Sequence, residues 1–133
     1  MEKSELREYR SILRESEDLE LEILRWRTKA QKCTKAPEHA PAYGGSHDPY
    51  PVIMDKIIEL EAVLRTRHNA LVTTRRRIET AINALESRER RLIRLRYIEG
   101  WGWERIADEM GYGRKQVYRI HGWALEKMSH NVP

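Results

Sequence analysis

Residues 98–120 read IEGWGWERIADEMGYGRKQVYRI, and this stretch decides the fold of the C-terminal third of the chain. It predicts a short helix, a glycine turn and a second helix. Apolar residues fall on one face of each helix, with Ile106, Ala107 and Met110 on the first and Val117, Ile120 and Ala124 on the second. Gly111 can adopt a positive φ and close the first helix. The pattern is typical of a helix-turn-helix, whose second helix enters the major groove of DNA.

The second helix, predicted over residues 114–128, carries side chains on its exposed side that can contact bases or bind phosphate. Arg114 stands at its start and is a candidate base contact, with phosphate contact or solvent exposure as the alternatives. Gln116 can bond to adenine or serve only as a surface helix former, and Tyr118 suits either a thymine methyl or the protein's own surface. The predicted DNA contacts of this helix are Arg114, Lys115, Gln116, Tyr118 and Arg119.

Three arginines of the preceding helix form a second group of candidate DNA contacts. Arg88, Arg91 and Arg94 recur every three residues, so they lie on one side of a helix and can bind phosphates. A solvated helix face is the alternative. The run Arg75-Arg76-Arg77, by contrast, is interpreted as the flank of a long helix.

The C-terminal residues 87–133 are predicted to form a compact DNA-binding head. Its helices are predicted over 88–99, 103–110 and 114–128, with Ser87 as the first N-cap and Gly100 as the first stop. Aromatic side chains are expected to supply core volume, namely Trp101, Trp103, Tyr112 and Trp123. His121 is interpreted as structural.

Residues 1–86 are predicted to form a long helical hairpin with a linker at 35–50. The second helix of the hairpin keeps a 4-3 apolar spacing typical of a coiled coil, at Ile53, Ile57, Leu60, Leu64, Arg67, Leu71, Thr74, Ile78, Ala81 and Leu85. In the first helix, a similar stripe is widened by Leu6, Leu13 and Leu24. Because two helices cover so thin a seam poorly, a homodimer is expected, and two heads would suit two DNA half-sites. The fold class is therefore all-α.

Composition and charge limit the classes of function that this protein can have. Residues 87–133 carry ten basic and six acidic side chains, whereas residues 1–86 carry fifteen of each, so the net charge of +4 lies on the head. That asymmetry suits double-stranded DNA as the partner, although a solvated basic surface is the alternative. With Cys33 as the single cysteine, no internal disulfide and no four-cysteine zinc site can form. No catalytic constellation, cofactor motif or apolar run of membrane-spanning length occurs, so a cytoplasmic, non-enzymatic protein is expected.

Three runs in residues 87–128 resemble region 4 of bacterial sigma factors, and they read SRERRLIRLRY, WERIADEMGY and RKQVYRIHGWAL. From about residue 40 onward, the chain is also similar to the ArpU/RinA-type regulators of phages and prophages of Gram-positive bacteria. The segments 44–46 and 57–61 fit that pattern, whereas residues 1–36 fit it only by helical character. The resemblance implies control of late phage genes, such as packaging, morphogenesis or lysis genes, with host RNA polymerase as a further candidate partner.

The chain departs from the sigma pattern at the helix starts and on the recognition helix. Gly102 and Gly113 stand where family helices begin with Ser or Thr, a change that costs about a few tenths of a kcal/mol. Lys115 and Arg119 replace the Glu and Gln with which housekeeping sigma factors contact bases. Since carboxylates accept from cytosine whereas Lys and Arg donate to guanine, we expect a different preferred site.

Two other functions remain open from the sequence. A small terminase subunit also combines a helix-turn-helix with a helical oligomerisation part, although it usually places the DNA-binding head first. An RNA polymerase-binding module could use a sigma-like head without touching DNA.

Overall fold

The computed structural model describes residues 1–34 and 48–130, and all regular elements in these two ranges are helical. The helices are α1 (Lys3–Thr34), α2 (Tyr50–Ile82), α3 (Ser87–Ile93), α4 (Trp103–Met110) and α5 (Arg114–His130), and a π-helical turn at Arg94–Ile98 continues α3. The all-α prediction is confirmed. Most of the predicted linker at 35–50 lies outside the described residues, and Tyr50 already belongs to α2. None of the described helices is both long and apolar enough to cross a membrane.

The chain divides into two compact units that do not coincide with the predicted division at residue 86. The head unit consists of Met1–Leu13 together with the described residues from Ala70 onward. The two-helix unit consists of Arg14–Asn69 without its undescribed segment. Both long helices therefore contribute one part to each unit.

In the two-helix unit, α1 and α2 run antiparallel. Two ion pairs link the helices, namely Glu15–Arg67 at 2.7 Å and Arg27–Glu61, and Glu20 Oε1 lies 3.3 Å from His68 Nε2. Apolar side chains pack between the C-terminal end of α1 and the N-terminal end of α2, namely Trp26, Ala30, Cys33, Ile53, Met54 and Ile57.

Two residues of the predicted seams lie outside the core of this unit. Arg67 is exposed and reaches the carboxylate of Glu15, so at this position of the apolar spacing an ion pair takes the place of a buried apolar side chain. Leu24, which was expected to widen the apolar stripe of α1, is 59% exposed. That expectation is wrong because α2 covers only the narrow face of α1 that carries Ile23 and Ala30.

The core of the head unit includes side chains from both long helices. Leu6 and Tyr9 of α1 and Ile78 and Ile82 of α2 are buried together with the apolar faces of α3, α4 and α5. The C-terminal helices contribute Leu92, Ile93, Ile106, Val117, Ile120, Ala124 and Met128, each fully or almost fully buried. The three predicted head helices therefore do not make this core alone.

The first helix of the predicted head differs from the sequence interpretation. Its N-cap is Glu86 rather than Ser87, because the backbone N–H of Glu86 donates to Glu89 Oε1 at 3.0 Å in a capping box. It also changes to a π-helical turn at Arg94 instead of continuing as an α-helix to residue 99. Gly100 then ends it with φ +75°, as expected for the stop position.

α1 also holds the turn that follows α3. Arg10 donates from Nη1 to the carbonyl oxygen of Ile98 at 2.9 Å. A Cβ atom at Gly100 would lie 2.6 Å from the Arg10 guanidinium, so the absence of a side chain there lets Arg10 approach the backbone.

We expect Leu6→Ala to destabilise the protein by about 2–5 kcal/mol, because it removes a fully buried side chain and leaves a cavity in the head core. Urea unfolding followed by tryptophan fluorescence would measure the free energy of unfolding. Val72→Ala shortens an apolar side chain at an exposed site of α2 in the head unit and should stay within about 0.5 kcal/mol of the parent. Equal effects of the two substitutions would contradict the inclusion of α1 in the head core.

Candidate nucleic-acid interface

α4 and α5 meet in the predicted helix-turn-helix. Gly111 ends α4 with φ +72°, a conformation that glycine adopts without strain, and the N–H of Tyr112 donates to the carbonyl of Ala107 at 3.1 Å. The apolar faces of both helices are buried as predicted, with Ile106 and Val117 fully inaccessible to solvent. The opposite side of α5 is consequently presented outward.

The outward side of α5 is cationic at its N-terminal end. Arg114, Lys115, Tyr118 and Arg119 are exposed, whereas Gln116 is half-buried. Among the residues that the structure describes, Lys115 and Arg119 form no ion pair, so their charges are available to a polyanion. This arrangement can place donors against base edges or phosphate oxygens.

Arg114 is held by a carboxylate of the neighbouring helix. Its Nη2 donates to Oε1 of Glu104, in the first turn of α4. The side chains of Arg114 and Glu104 are 56% and 78% exposed, so the pair lies at the surface. An exposed ion pair of this kind contributes only about 0–1 kcal/mol, which a DNA contact can offset.

The three arginines of α3 and its π-helical turn do not form one surface. Arg88 and Arg91 line a cleft of about 570 Å³ together with Ser87, Met110 and Tyr112, but Arg94 does not line it. The Arg94 side chain instead reaches Glu79 of α2.

Each of these arginines has an acidic neighbour. Arg91 Nη2 lies 3.0 Å from Glu109 Oε1, and Arg88 Nε lies 3.8 Å from Glu86 Oε2. Arg94 Nη2 donates to Glu79 Oε2 at 2.7 Å, which lowers the pKa of Glu79 and raises the pKa of Arg94. Arg94 is therefore tied to α2.

The aromatic residues divide between core and surface. Trp101 and Trp103 are half-buried against the core, as predicted, and Trp103 makes an edge contact with Tyr118 at 5.3 Å between ring centroids. Trp123 was expected to supply core volume, but it is 43% exposed. That expectation is wrong because Ala124 and Ile120 already fill the buried face of α5, and the Trp123 ring instead lies 5.6 Å from the Arg88 guanidinium.

A buried polar pair joins α5 to the π-helical turn. The hydroxyl of Tyr97 is 2.6 Å from Nε2 of His121, and the Trp103 ring contacts His121 edge-on at 4.8 Å. Burial, together with the positive charges of Lys3, Arg96 and Arg7, lowers the pKa of His121 to about 4. Burial also raises the pKa of Tyr97, so a protonated hydroxyl and a neutral imidazole share this hydrogen bond at neutral pH. His121 is structural, as the sequence suggested.

Sequence reasoning missed the acidic side chains that accompany these cations. Glu104 and Glu109 contact arginines that are distant in sequence, and no period along one helix indicates such pairs. The same holds for Glu89, which is 1% exposed and accepts a hydrogen bond from Lys127 Nζ at 2.8 Å. Two features of the sequence could have drawn attention to these carboxylates: Glu104 lies in the first turn of a predicted helix, and Glu86 and Glu89 are three residues apart, as in a capping box.

Among the described residues, no cluster of histidine, cysteine or acidic side chains could hold a metal ion.

Comparison with known families identifies one match on this chain. Residues 75–120 match the family model described as sigma-70, region 4. The matched segment runs from the last turns of α2 through α3 and α4 to Ile120 in α5, so it contains the whole turn and the start of the predicted recognition helix. No curated protein and no solved structure matched the chain. The match supports a DNA-binding helix-turn-helix of the sigma region 4 type.

The low pKa of His121 predicts a pH dependence of stability. The unfolded chain takes up a proton at His121 below about pH 6.5, whereas the folded protein resists protonation until about pH 4. Stability should therefore fall between about pH 7 and pH 4, by about 1–2 kcal/mol at pH 5 from this residue, with no contribution above pH 7. His121→Gln keeps a hydrogen-bonding side chain beside Tyr97 and should remove this component, measured as the change in unfolding free energy between pH 7 and pH 5. The same change in parent and variant would contradict the prediction.

Proposed function

We propose that this protein is a sequence-specific DNA-binding transcriptional regulator that places α5 in the major groove of double-stranded DNA. The observation that carries the proposal is the exposed cationic face at the start of α5, on a helix-turn-helix whose segment matches sigma-70, region 4. The fixed turn at Gly111 supports it, because it holds this face in the position that a recognition helix requires.

The proposed roles of the residues follow from their surroundings. Arg114, Lys115 and Arg119 donate to base edges or phosphates, and Tyr118 adds an aromatic surface beside them. Gln116 is half-buried, so it offers less of its side chain to DNA than these exposed residues do.

The cleft beside α3 is proposed to follow the DNA backbone. Arg88 and Arg91 lie at this cleft and can bind phosphate once they release their acidic neighbours. Arg94 is less suited to bind phosphate, because a phosphate contact would break its hydrogen bonds with Glu79.

The regulated genes are proposed from the resemblance to ArpU/RinA-type regulators. That resemblance favours control of late genes of a phage or prophage. Genomic selection of DNA fragments bound by the purified protein tests this proposal directly, since the recovered fragments should include upstream regions of packaging, morphogenesis or lysis genes. Recovery of a packaging start site alone, with a ring-shaped oligomer, would indicate a small terminase subunit instead.

Self-association is proposed for the two-helix unit. Two packed helices leave large apolar side chains in solvent on this unit, namely Leu21, Leu24, Val52, Ile58 and Val63, each more than 40% exposed. A second copy would remove this surface from water and bring two heads to two half-sites.

We expect Arg114→Ala to weaken binding to a selected duplex by about 1–3 kcal/mol and to relax the preference at one base position, because it removes a bidentate donor. Fluorescence anisotropy with selected and scrambled duplexes at several salt concentrations would measure both effects. Equal loss on the two duplexes would make Arg114 a phosphate contact, and unchanged affinity after separate Ala substitutions of Arg114, Lys115 and Arg119 would exclude α5 as the recognition helix.

Arg91→Ala provides the matched comparison in the same assay. As a phosphate contact, Arg91 should contribute equally to both duplexes, so its loss should reduce the salt dependence by about one unit of slope without changing the preference. A protein with no DNA affinity at low salt would favour the RNA polymerase-binding alternative.

Sedimentation of the intact protein should show a dimer at micromolar concentration. Leu24→Glu combined with Ile58→Glu should shift it to a monomer while the helical circular dichroism persists, since both side chains are exposed within the unit and their loss removes no core contact. A monomeric parent would contradict the proposed self-association, and Glu99→Gln, an exposed change in the head unit, serves as the control.

A further inference from the structure

We propose that Glu104 is a positioning residue for base recognition by Arg114, and that it sets the specificity of the interface by holding one edge of the guanidinium toward the DNA. This inference rests on the proposed function, because it concerns how the same recognition helix distinguishes one sequence from another. Glu104 itself need not contact a base.

The position of Glu104 is fixed by the packing of α4 against α5. Its neighbour Trp103 contacts Tyr118 edge-on, which brings the first turn of α4 beside the first turns of α5. Gly102, the N-cap of α4, offers no side chain to the free N–H groups of that turn. A carboxylate in the first turn interacts favourably with the helix dipole there, which keeps Glu104 close to its helix end.

The hydrogen bond leaves the recognition edge of Arg114 free. A guanidinium has five N–H donors in one plane, and Arg114 uses one donor of Nη2 on Glu104 Oε1. The other N–H of Nη2 and those of Nη1 remain available. Two of them can point the same way and meet O6 and N7 of a guanine, the geometry of the commonest specific arginine contact.

The carboxylate also opposes binding where no such contact forms. Glu104 is 78% exposed and negatively charged, so close approach of any phosphate backbone is unfavourable unless Arg114 gains a base contact in return. Lys115 and Arg119 form no ion pair among the described residues, so their charges attract DNA of any sequence, whichever bases they also contact. The Arg114–Glu104 pair therefore adds discrimination to the affinity that these two cations supply.

The test compares Glu104→Gln with the parent in the full-length protein. The probes are a duplex selected by the parent from a randomised pool and a scrambled duplex of the same composition. Glu104→Gln should bind the scrambled duplex more tightly and should reduce the ratio of the two affinities by about threefold to tenfold. In an Arg114→Ala background, the same substitution should leave the ratio unchanged, because no guanidinium remains to be positioned.

Glu109→Gln is the matched control. It makes the same charge change on the same helix, but its partner is Arg91 at 3.0 Å. It should tighten binding to both duplexes equally and keep their ratio. An unchanged ratio for Glu104→Gln, or an equal reduction for Glu109→Gln, would overturn the proposal.

Two further outcomes separate this inference from the proposed function. If the parent protein prefers its selected duplex and Glu104→Gln keeps that preference, only the positioning role is refuted. Parent protein that binds the two duplexes equally, or neither of them, would refute both proposals.

Discussion

The structure depends on the burial of apolar surface that the three C-terminal helices cannot bury among themselves. α3 and α4 have seven and eight residues, so each presents only a few apolar side chains. Leu6, Tyr9, Ile78 and Ile82 close the core from the other side. Because apolar burial is the main favourable contribution to folding, the orientation of the helix-turn-helix follows from how these side chains pack.

That packing determines which side of α5 faces solvent. Val117, Ile120 and Ala124 occupy one face of the helix in the core, and the cationic residues are left on the opposite side. Two polar contacts restrain the helix further, since Tyr97 meets His121 near its middle and Glu89 binds Lys127 near its end. A buried carboxylate such as Glu89 is costly without a partner, so the contact with Lys127 favours one placement of α5 against α3.

The sequence was sufficient wherever a local pattern determined the outcome. Helical spacing predicted the all-α fold and the buried faces of α4 and α5, and Gly111 predicted the turn, because glycine adopts positive φ without strain. The predicted contact residues of α5 are exposed apart from Gln116, although their contact with DNA stays a prediction.

The sequence was insufficient where the outcome depended on tertiary neighbours. Trp123 is apolar and large, and only the packing of Ile120 and Ala124 shows that no core space remains for it. Leu6 and Leu24 belong to the same apolar stripe of α1, but only Leu6 has a head core beside it. The carboxylates that pair with Arg114 and Arg91 likewise come from another helix, and helical periodicity carries no information about that pairing.

The discontinuity of the head unit has a consequence for how the protein is made. Leu6 leaves the ribosome more than a hundred residues before Met128, although both side chains belong to one core. At about 5–20 residues per second, the early part of α1 remains without its apolar partners for several seconds of synthesis. A recombination event that transfers only the C-terminal segment would separate the same partners permanently. The sigma-like segment of this chain is therefore not a self-sufficient cassette, and its inheritance and assembly are tied to the helix at the opposite end of the sequence.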